Sequence, residues 1–345
     1  MEIPLKVTIA GAGIFGLWQA IKLARTGHKV RVLERNSKPF SDAASRYAGA
    51  MIAPYCEAES AEPIVRDLGL AAARLWHETY PGLKRNGSLV VAAARDQAEL
   101  RRFERVTVGH NAIDAARLGE LEPDLAERFS RALFFEDEAH MVTPDALLDL
   151  LNLARSAGAQ FEFGRSWDGG LPDNSDFVVD CRGIAARDDL NGLRGVRGER
   201  LLLRTREISL SRPVRLLHPR SNTYVVPWDD GRFLIGATVI ESEDARAMTA
   251  RSALELLGLA YALHPAFGEA EIIELTAGVR PSFADNIPRV VAGGDGNIVH
   301  VNGAYRHGFL LAPVMAEVVA GVLGNPNFVH PLLIRRGGGE TVQQV

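Results

Sequence analysis

Residues 7–16 read Val-Thr-Ile-Ala-Gly-Ala-Gly-Ile-Phe-Gly. Residues 7–10 have the character of a short buried strand. Residues 14–26 place Ile14, Leu17, Ile21 and Leu23 or Ala24 at a helical period, with Gly27 as a stop. Residues 30–33 form a second β-branched, apolar strand. Between the first strand and the helix, Gly11 permits a tight turn, Gly13 lets backbone approach a pyrophosphate, and Gly16 lets helix and strand pack closely. The helix start offers free N–H groups and a positive dipole end to phosphates. Glu34 closes the second strand, where a carboxylate can accept from ribose hydroxyls and repel a 2′-phosphate, an argument softened by Arg35. Glycines alone often only mark turns. Strand, loop, helix, strand and acid in this order indicate a bound dinucleotide, without separating FAD from NAD.

Further α/β units do not follow directly. Residues 41–60 are loop-rich. Helices are expected over 68–79, 96–106, 144–157, 249–263 and 313–323, the last with Pro313 near its start. Strands are expected over 87–92, around Phe161 and Phe163, and over 177–180, 200–205, 212–217, 223–227, 232–238, 272–279 and 298–302. The fold class is therefore α/β (α+β overall): a Rossmann-like nucleotide domain interleaved with a domain built on a large, mainly antiparallel sheet. The expected division is 1–80, 140–198 and 278–335 against 81–139 and 199–277, with a frayed glycine-rich tail at 336–345.

The bulk properties fit an ordinary globular enzyme. Of the 345 residues, 47% are hydrophobic and 24% charged, and the formal net charge of −4 argues against a nucleic-acid surface. Two cysteines, Cys56 and Cys181, are too few for a disulfide framework and form no metal motif, so no metal is expected. No signal peptide and no membrane span are expected, which makes the cytoplasm the default location.

Three later stretches favour FAD. Residues 45–51, Ser-Arg-Tyr-Ala-Gly-Ala-Met, carry small side chains that let backbone pass close to a pyrophosphate or a flavin ring. Residues 178–183, Val-Val-Asp-Cys-Arg-Gly, form a strand ending in glycine. Residues 299–313 run Val299-His300-Val301-Asn302-Gly303-Ala304-Tyr305-Arg306-His307-Gly308-Phe309-Leu310-Leu311-Ala312-Pro313, a strand and glycine loop opening a helix. A helix start aimed at a reduced flavin would stabilise its negative charge, as would Arg306 or an N–H near Gly308. Taken alone, that helix would be a packing element.

With these stretches in view, the chain resembles the D-amino-acid oxidase superfamily of flavoenzymes, and within it the glycine oxidases of thiamine biosynthesis. The resemblance is carried by GAGIFGL from Gly11, YAGAMIAPYCEAESAE from Tyr47, RALFFEDEAH from Arg131, VRGE from Val196, SRPVRLLHPR from Ser211, YVVPWDDGRFLIGATVIES from Tyr224, AGVRPSFADNIPR from Ala277 and HVNGAYRHGFLLAP from His300. It implies a substrate lying between the antiparallel sheet and the flavin. It also implies Arg280 as the carboxylate-binding arginine, Tyr224 as a hydroxyl assisting that contact, and Arg306 as a second arginine near substrate and flavin. A guanidinium suits the first role because its planar fork holds a carboxylate bidentately. A lone arginine is otherwise usually a surface residue, and a strand tyrosine is often packing. Val239 and Met51 fall at pocket positions, and either could equally be core. Asn222 stands where some relatives have histidine.

The implied FAD contacts are Gly11, Gly13, Ile14, Phe15, Gly16, Glu34, Arg35, Ser45, Arg46, Ala48, Gly49, Met51, Cys181, Gly183, Arg280, Asn302, Gly303, Tyr305, Arg306, His307, Gly308, Phe309 and Leu310. No cysteine follows Cys181, so the C-terminal cysteine attachment of some relatives is not available and FAD is expected to be noncovalent. No general base stands out. Hydride transfer from Cα of a neutral amine to the flavin requires orientation and electrostatics more than proton transfer. His307 is read as a hydrogen-bonded loop residue.

The implied reaction converts glycine or a similar amino acid to its imine, with O2 reoxidising the flavin to give H2O2. A thiazole synthase would consume the imine, and the enzyme would be a homo-oligomer. The alternatives are a dehydrogenase of the same superfamily using a quinone or protein acceptor, a noncatalytic or partner-modifying flavoprotein, and an NAD dehydrogenase. Glycine, sarcosine, D-alanine and D-proline differ by groups worth only about 1–3 kcal/mol in selectivity.

Overall fold

The computed structural model describes residues 3–220, 223–293 and 297–336. Position 222 and all of the expected tail except Arg336 lie outside the described residues. The chain divides into two compact units. One comprises Met1–Arg46, Ala146–Gly195 and Arg280–Val345, and the other Tyr47–Asp145 and Val196–Val279.

The first unit is built on a seven-stranded sheet in the order Leu333–Arg335, Arg289–Ala292, Ile298–Asn302, Phe177–Asp180, Lys6–Ala10, Lys29–Glu34, Gln160–Phe163. Every pairing is parallel except that between Arg289–Ala292 and Ile298–Asn302. Val7, Ile9 and Ala10 on the central strand are buried, as a parallel strand covered on both faces requires. Lys6–Ala10, Phe177–Asp180 and Ile298–Asn302 are adjacent and parallel, so the loops carrying Gly11, Gly183 and Gly303 leave the same edge of the sheet. Nucleotides bind doubly wound sheets in the crevice outside the carboxyl ends of such strands.

The helix Ile14–Arg25 packs on the helix Gly308–Gly324. The second of these corrects the expectation of a helix starting at Pro313: the proline lies inside it. Gly308 through Ala316, Val318, Val319 and Val322 are buried. That burial outweighs an interior proline, which costs about 3 kcal/mol.

The second unit carries an eight-stranded sheet in the order Glu271–Ser282, Arg194–Arg204, Arg232–Gly236, Thr223–Pro227, Val214–Leu217, Ser88–Ala92, Arg131–Phe135, Asn111–Asp114. Val214–Leu217 runs parallel to Ser88–Ala92. The strands from Arg194–Arg204 to Val214–Leu217 alternate antiparallel, as do those from Ser88–Ala92 to Asn111–Asp114. One face packs Leu201, Leu203, Phe233 and Ile235 with Leu256, Ala260 and Leu263 of the helix Ala250–Leu263. The other packs Leu202, Leu234 and Val226 with Val142, Trp228, Met51 and Tyr224. Residues 47–80 and 140–145, grouped with the nucleotide domain on sequence, belong to this second unit. Met51–Ile52 pairs antiparallel with Ala139–His140, and the Thr143 hydroxyl donates to the Ala48 carbonyl at 2.6 Å.

Candidate active site

The phosphate loop is shaped by what its glycines lack. Gly11 has φ +98°, and a Cβ there would stand 2.7 Å from the Cys181 carbonyl oxygen. A Cβ on Gly16 would overlap the Gly11 carbonyl oxygen. At Gly13 the nearest atom to such a Cβ is the Ser45 hydroxyl, at 3.7 Å, so the loop is open on that side. The Ser45 Oγ is buried without a hydrogen-bond partner among the described residues. Gly13 caps the helix with no side-chain hydrogen bond, and no acidic residue occupies the first turn. Glu34 Oε2 accepts from Ala12 N, and Oε1 accepts from both Asn36 N and Asn36 Nδ2, each at 3.0 Å. A carboxylate offers about four acceptor positions, which leaves Oε2 room for a ribose hydroxyl. Arg35 is exposed and faces Asp42 at 3.4 Å. Arg46 ends the first of the three segments of the first unit.

The second loop is anchored by Asp180, whose Oδ2 bonds His300 Nδ1 at 2.9 Å. Arg182 donates to the two Asp180 oxygens through Nε and Nη2, both at 2.9 Å. Burial alone would raise this carboxyl, but the His300 and Arg182 donors outweigh it and hold it below the usual range. Arg182 also lies 4.5 Å over the Trp167 ring. This network fixes the strand end from which Cys181 reaches Gly11.

The third loop meets the second: Asn302 Nδ2 donates to the Gly183 carbonyl, and Gly303 N donates to Asn302 Oδ1, both at 2.8 Å. Gly303 has φ +80°, and a Cβ there would overlap the Phe283 ring. Tyr305, with φ +44°, donates its N–H to the Pro281 carbonyl at 2.8 Å. That single bond joins the residue after Arg280 to the residue before Arg306, so the backbone segments carrying both predicted arginines meet. His307 caps the helix, and Gly308 lies against Ile14, where a Cβ would be 3.5 Å from Cγ2. The two helix starts are therefore side by side. Phe15, Phe309 and Leu310 are buried in the packing behind them.

Ala48, Gly49, Met51, Tyr224 and Val239 belong to the second unit. The Tyr224 ring lies on Gly49 and on Gly236, at 2.9 and 2.7 Å from the places a Cβ would take. Met51 is partly buried opposite His140, and Val239 is 48% exposed. Sequence reasoning passed over Arg200, Trp228 and Glu274, which surround Tyr47 and Tyr224 on the same face. The available signal was a charged residue opening the run Leu201-Leu202-Leu203.

The residues fit FAD. The Gly13 opening, the Ser45 hydroxyl and the first-turn N–H groups would hold the pyrophosphate. Glu34 would hold the ribose, and the Gly308 helix start would face the flavin's anionic edge. Comparison with known proteins agrees on the cofactor. The model of the FAD dependent oxidoreductase family, DAO, matches residues 6–322. The chain is 50% identical over 317 residues to a Rhizobium etli protein named as the thiamine biosynthesis oxidoreductase ThiO, covering 92% of this chain and 95% of that one. It is 27% identical to a Synechocystis bifunctional protein ThiO/ThiG, covering 96% of this chain and 53% of the relative. The crystal structure of glycine oxidase from Geobacillus kaustophilus superposes with a TM-score of 0.75 at 24% identity, covering 94% and 95% of the two chains.

Proposed function

Because the chain belongs to the FAD dependent oxidoreductase family, we propose that it oxidises glycine or another small amino acid to its imine, with O2 as final acceptor and H2O2 as second product. Bound FAD supplies the two-electron acceptor for the hydride leaving the substrate Cα. The protein supplies orientation. Arg280 anchors the carboxylate through its planar fork, Tyr224 donates a further hydrogen bond, and Arg306 adds positive charge. Met51 and Val239 line the pocket. The observation that supports this reading is the Tyr305–Pro281 hydrogen bond, which ties the backbone after Arg280 to the backbone before Arg306, just ahead of the Gly308–Gly324 helix.

Glycine would give iminoacetate, and a thiazole synthase is the proposed consumer. The Synechocystis relative, which joins ThiO and ThiG in its name, supports a product passed to a neighbour. Noncovalent FAD, a homo-oligomer and a cytoplasmic location complete the proposal. The test is anaerobic addition of glycine to the purified flavoprotein. Bleaching of the visible flavin band, reversed by air with peroxide release, is the expected result. Bleaching by glycine that air does not reverse would move the proposal to a quinone or protein acceptor. A flavin left oxidised by glycine, sarcosine and small D-amino acids would overturn it.

A further inference from the structure

Four residues stand directly opposite one another across adjacent strands of the eight-stranded sheet: Arg215, Tyr224, Gly236 and Arg200. Opposed residues in antiparallel pairs point to the same face. Gly236 contributes no side chain, and the Tyr224 ring fills its place. A Cβ on Gly236 would stand 2.7 Å from both Cζ and Oη of Tyr224. The hydroxyl end of Tyr224 therefore lies over the strand next to Arg200.

Arg200 is 3% exposed. Its Nη2 donates to Glu274 Oε2 at 3.1 Å, while Nε and Nη1 have no hydrogen-bond partner among the described residues. Its Cζ lies 5.7 Å from the centre of the Tyr47 ring and 5.9 Å from that of Trp228. Arg215, the other cation in the row, is matched by Glu57 at 2.8 Å and by the charge of Glu138. Arg200 is left with one partly exposed carboxylate and aromatic faces, which offset only part of the cost of burying a guanidinium. Burial accordingly pushes its pKa down, with Glu274 opposing.

We infer that Arg200 is a positioning residue whose charge turns the Tyr224 oxygen toward the guanidinium and the Tyr224 proton away from it, so that Tyr224 donates to an anionic ligand. A cation beside a phenol attracts the oxygen lone pairs and polarises the O–H bond, making a stronger donor. The inference rests on the reading that Tyr224 assists a substrate carboxylate. It adds that the assistance depends on a residue that need not touch the substrate.

The test compares glycolate with its neutral counterpart glycolamide, each titrated into the FAD-loaded enzyme and followed by the flavin spectrum. Arg200→Met should weaken glycolate about tenfold, or about 1.4 kcal/mol, and glycolamide about twofold at most. Arg200→Lys should restore most of the glycolate affinity. In a Tyr224→Phe background, Arg200→Met should cost about twofold or less, because the group it acts through is gone. A full loss in that background, or an equal loss for glycolamide, would overturn the inference. If Arg200→Met fails to retain FAD, Arg200→Gln takes its place. Failure of both neutral variants would show Arg200 to be a structural post and would also overturn the inference. Failure of the wild-type holoenzyme to bind glycolate would remove the underlying reading of Tyr224, an outcome visible before any variant is made.

Discussion

Replacing Gly13 with alanine should separate cofactor binding from folding. Gly13 has φ −70° and ψ −175°, extended backbone that alanine adopts freely. The added Cβ meets only the Ser45 hydroxyl, at an ordinary 3.7 Å. As an N-cap, alanine costs about 0.5–1 kcal/mol relative to a good cap, less relative to glycine. A smaller unfolded-state entropy returns about 0.4–1 kcal/mol. Stability without FAD should therefore stay within about 1 kcal/mol of wild type. The methyl group, however, enters the opening shared by the Ser45 Oγ and the first-turn N–H groups. If it displaces the pyrophosphate from two charge-assisted hydrogen bonds worth about 1.5–3 kcal/mol each, FAD affinity falls by at least about 100-fold. Urea unfolding with and without excess FAD reads both quantities, since added FAD stabilises only in proportion to its affinity. Gly16→Ala is the contrast. Its Cβ would overlap the Gly11 carbonyl oxygen and stand 3.0 Å from the carbonyl carbon, so the helix could not seat. That variant should lose about 1–3 kcal/mol or more even without FAD. A folded Gly13→Ala protein with unchanged FAD affinity would refute the placement of the pyrophosphate.

Three other outcomes are expected. Burial, with Lys84 adding to it, lowers the His140 pKa to about 3, below the 6.5 of an unperturbed imidazole. Stability present above about pH 6.5 is therefore lost as pH falls, by up to about 1.4 kcal/mol per pH unit; His140→Leu should flatten acid unfolding profiles over that range, and an unchanged slope would refute the assignment. Arg215→Met strands Glu57 and the buried Glu138, whose carboxylate accepts from Ser88 and Cys56, and should cost about 3–5 kcal/mol in urea unfolding. Burial pushes the Cys56 and Cys181 thiols well above their ordinary range, so a thiolate-seeking disulfide reagent should leave both untouched in native protein and label both after denaturation.

The nucleotide half of the fold was legible because its signals are local. Residues 7–34 carry strand period, helix period, glycine positions and the terminal acid within one short stretch, and the structure reproduces each element to within a residue or two. The closing helix was misplaced for an equally local reason: a proline reads as a start when nothing nearby shows that the residues around it are buried. Asn111–Asp114, Arg131–Phe135, Arg289–Ala292 and Leu333–Arg335 went unseen as strands. Such segments owe their conformation to the neighbour they pair with, which no window of sequence contains.

The candidate site divides along the same line. Arg280 and Arg306 could be proposed because each sits in a stretch that carries the family resemblance, AGVRPSFADNIPR from Ala277 and HVNGAYRHGFLLAP from His300. Arg200 could not. Its neighbours Arg197 and Glu199 form a buried pair at 2.5 Å that serves the sheet, and from sequence Arg200 looks like more of the same. What distinguishes it is the register that sets Gly236 between it and Tyr224, a relation that exists only in the folded sheet, between the strand opening at Arg194 and those opening at Thr223 and Arg232. Glycine at 236 then acquires a purpose that its own conformation does not require, since its φ is not positive. Gly236→Ala should force the Tyr224 ring off the strand, because no Cβ fits 2.7 Å from Cζ and Oη. Loss of glycine kcat/KM in a variant that keeps its FAD and its unfolding midpoint would show that this glycine serves the tyrosine. Unchanged kinetics would show that the ring has another place to go, and the row would then explain neither Gly236 nor Arg200.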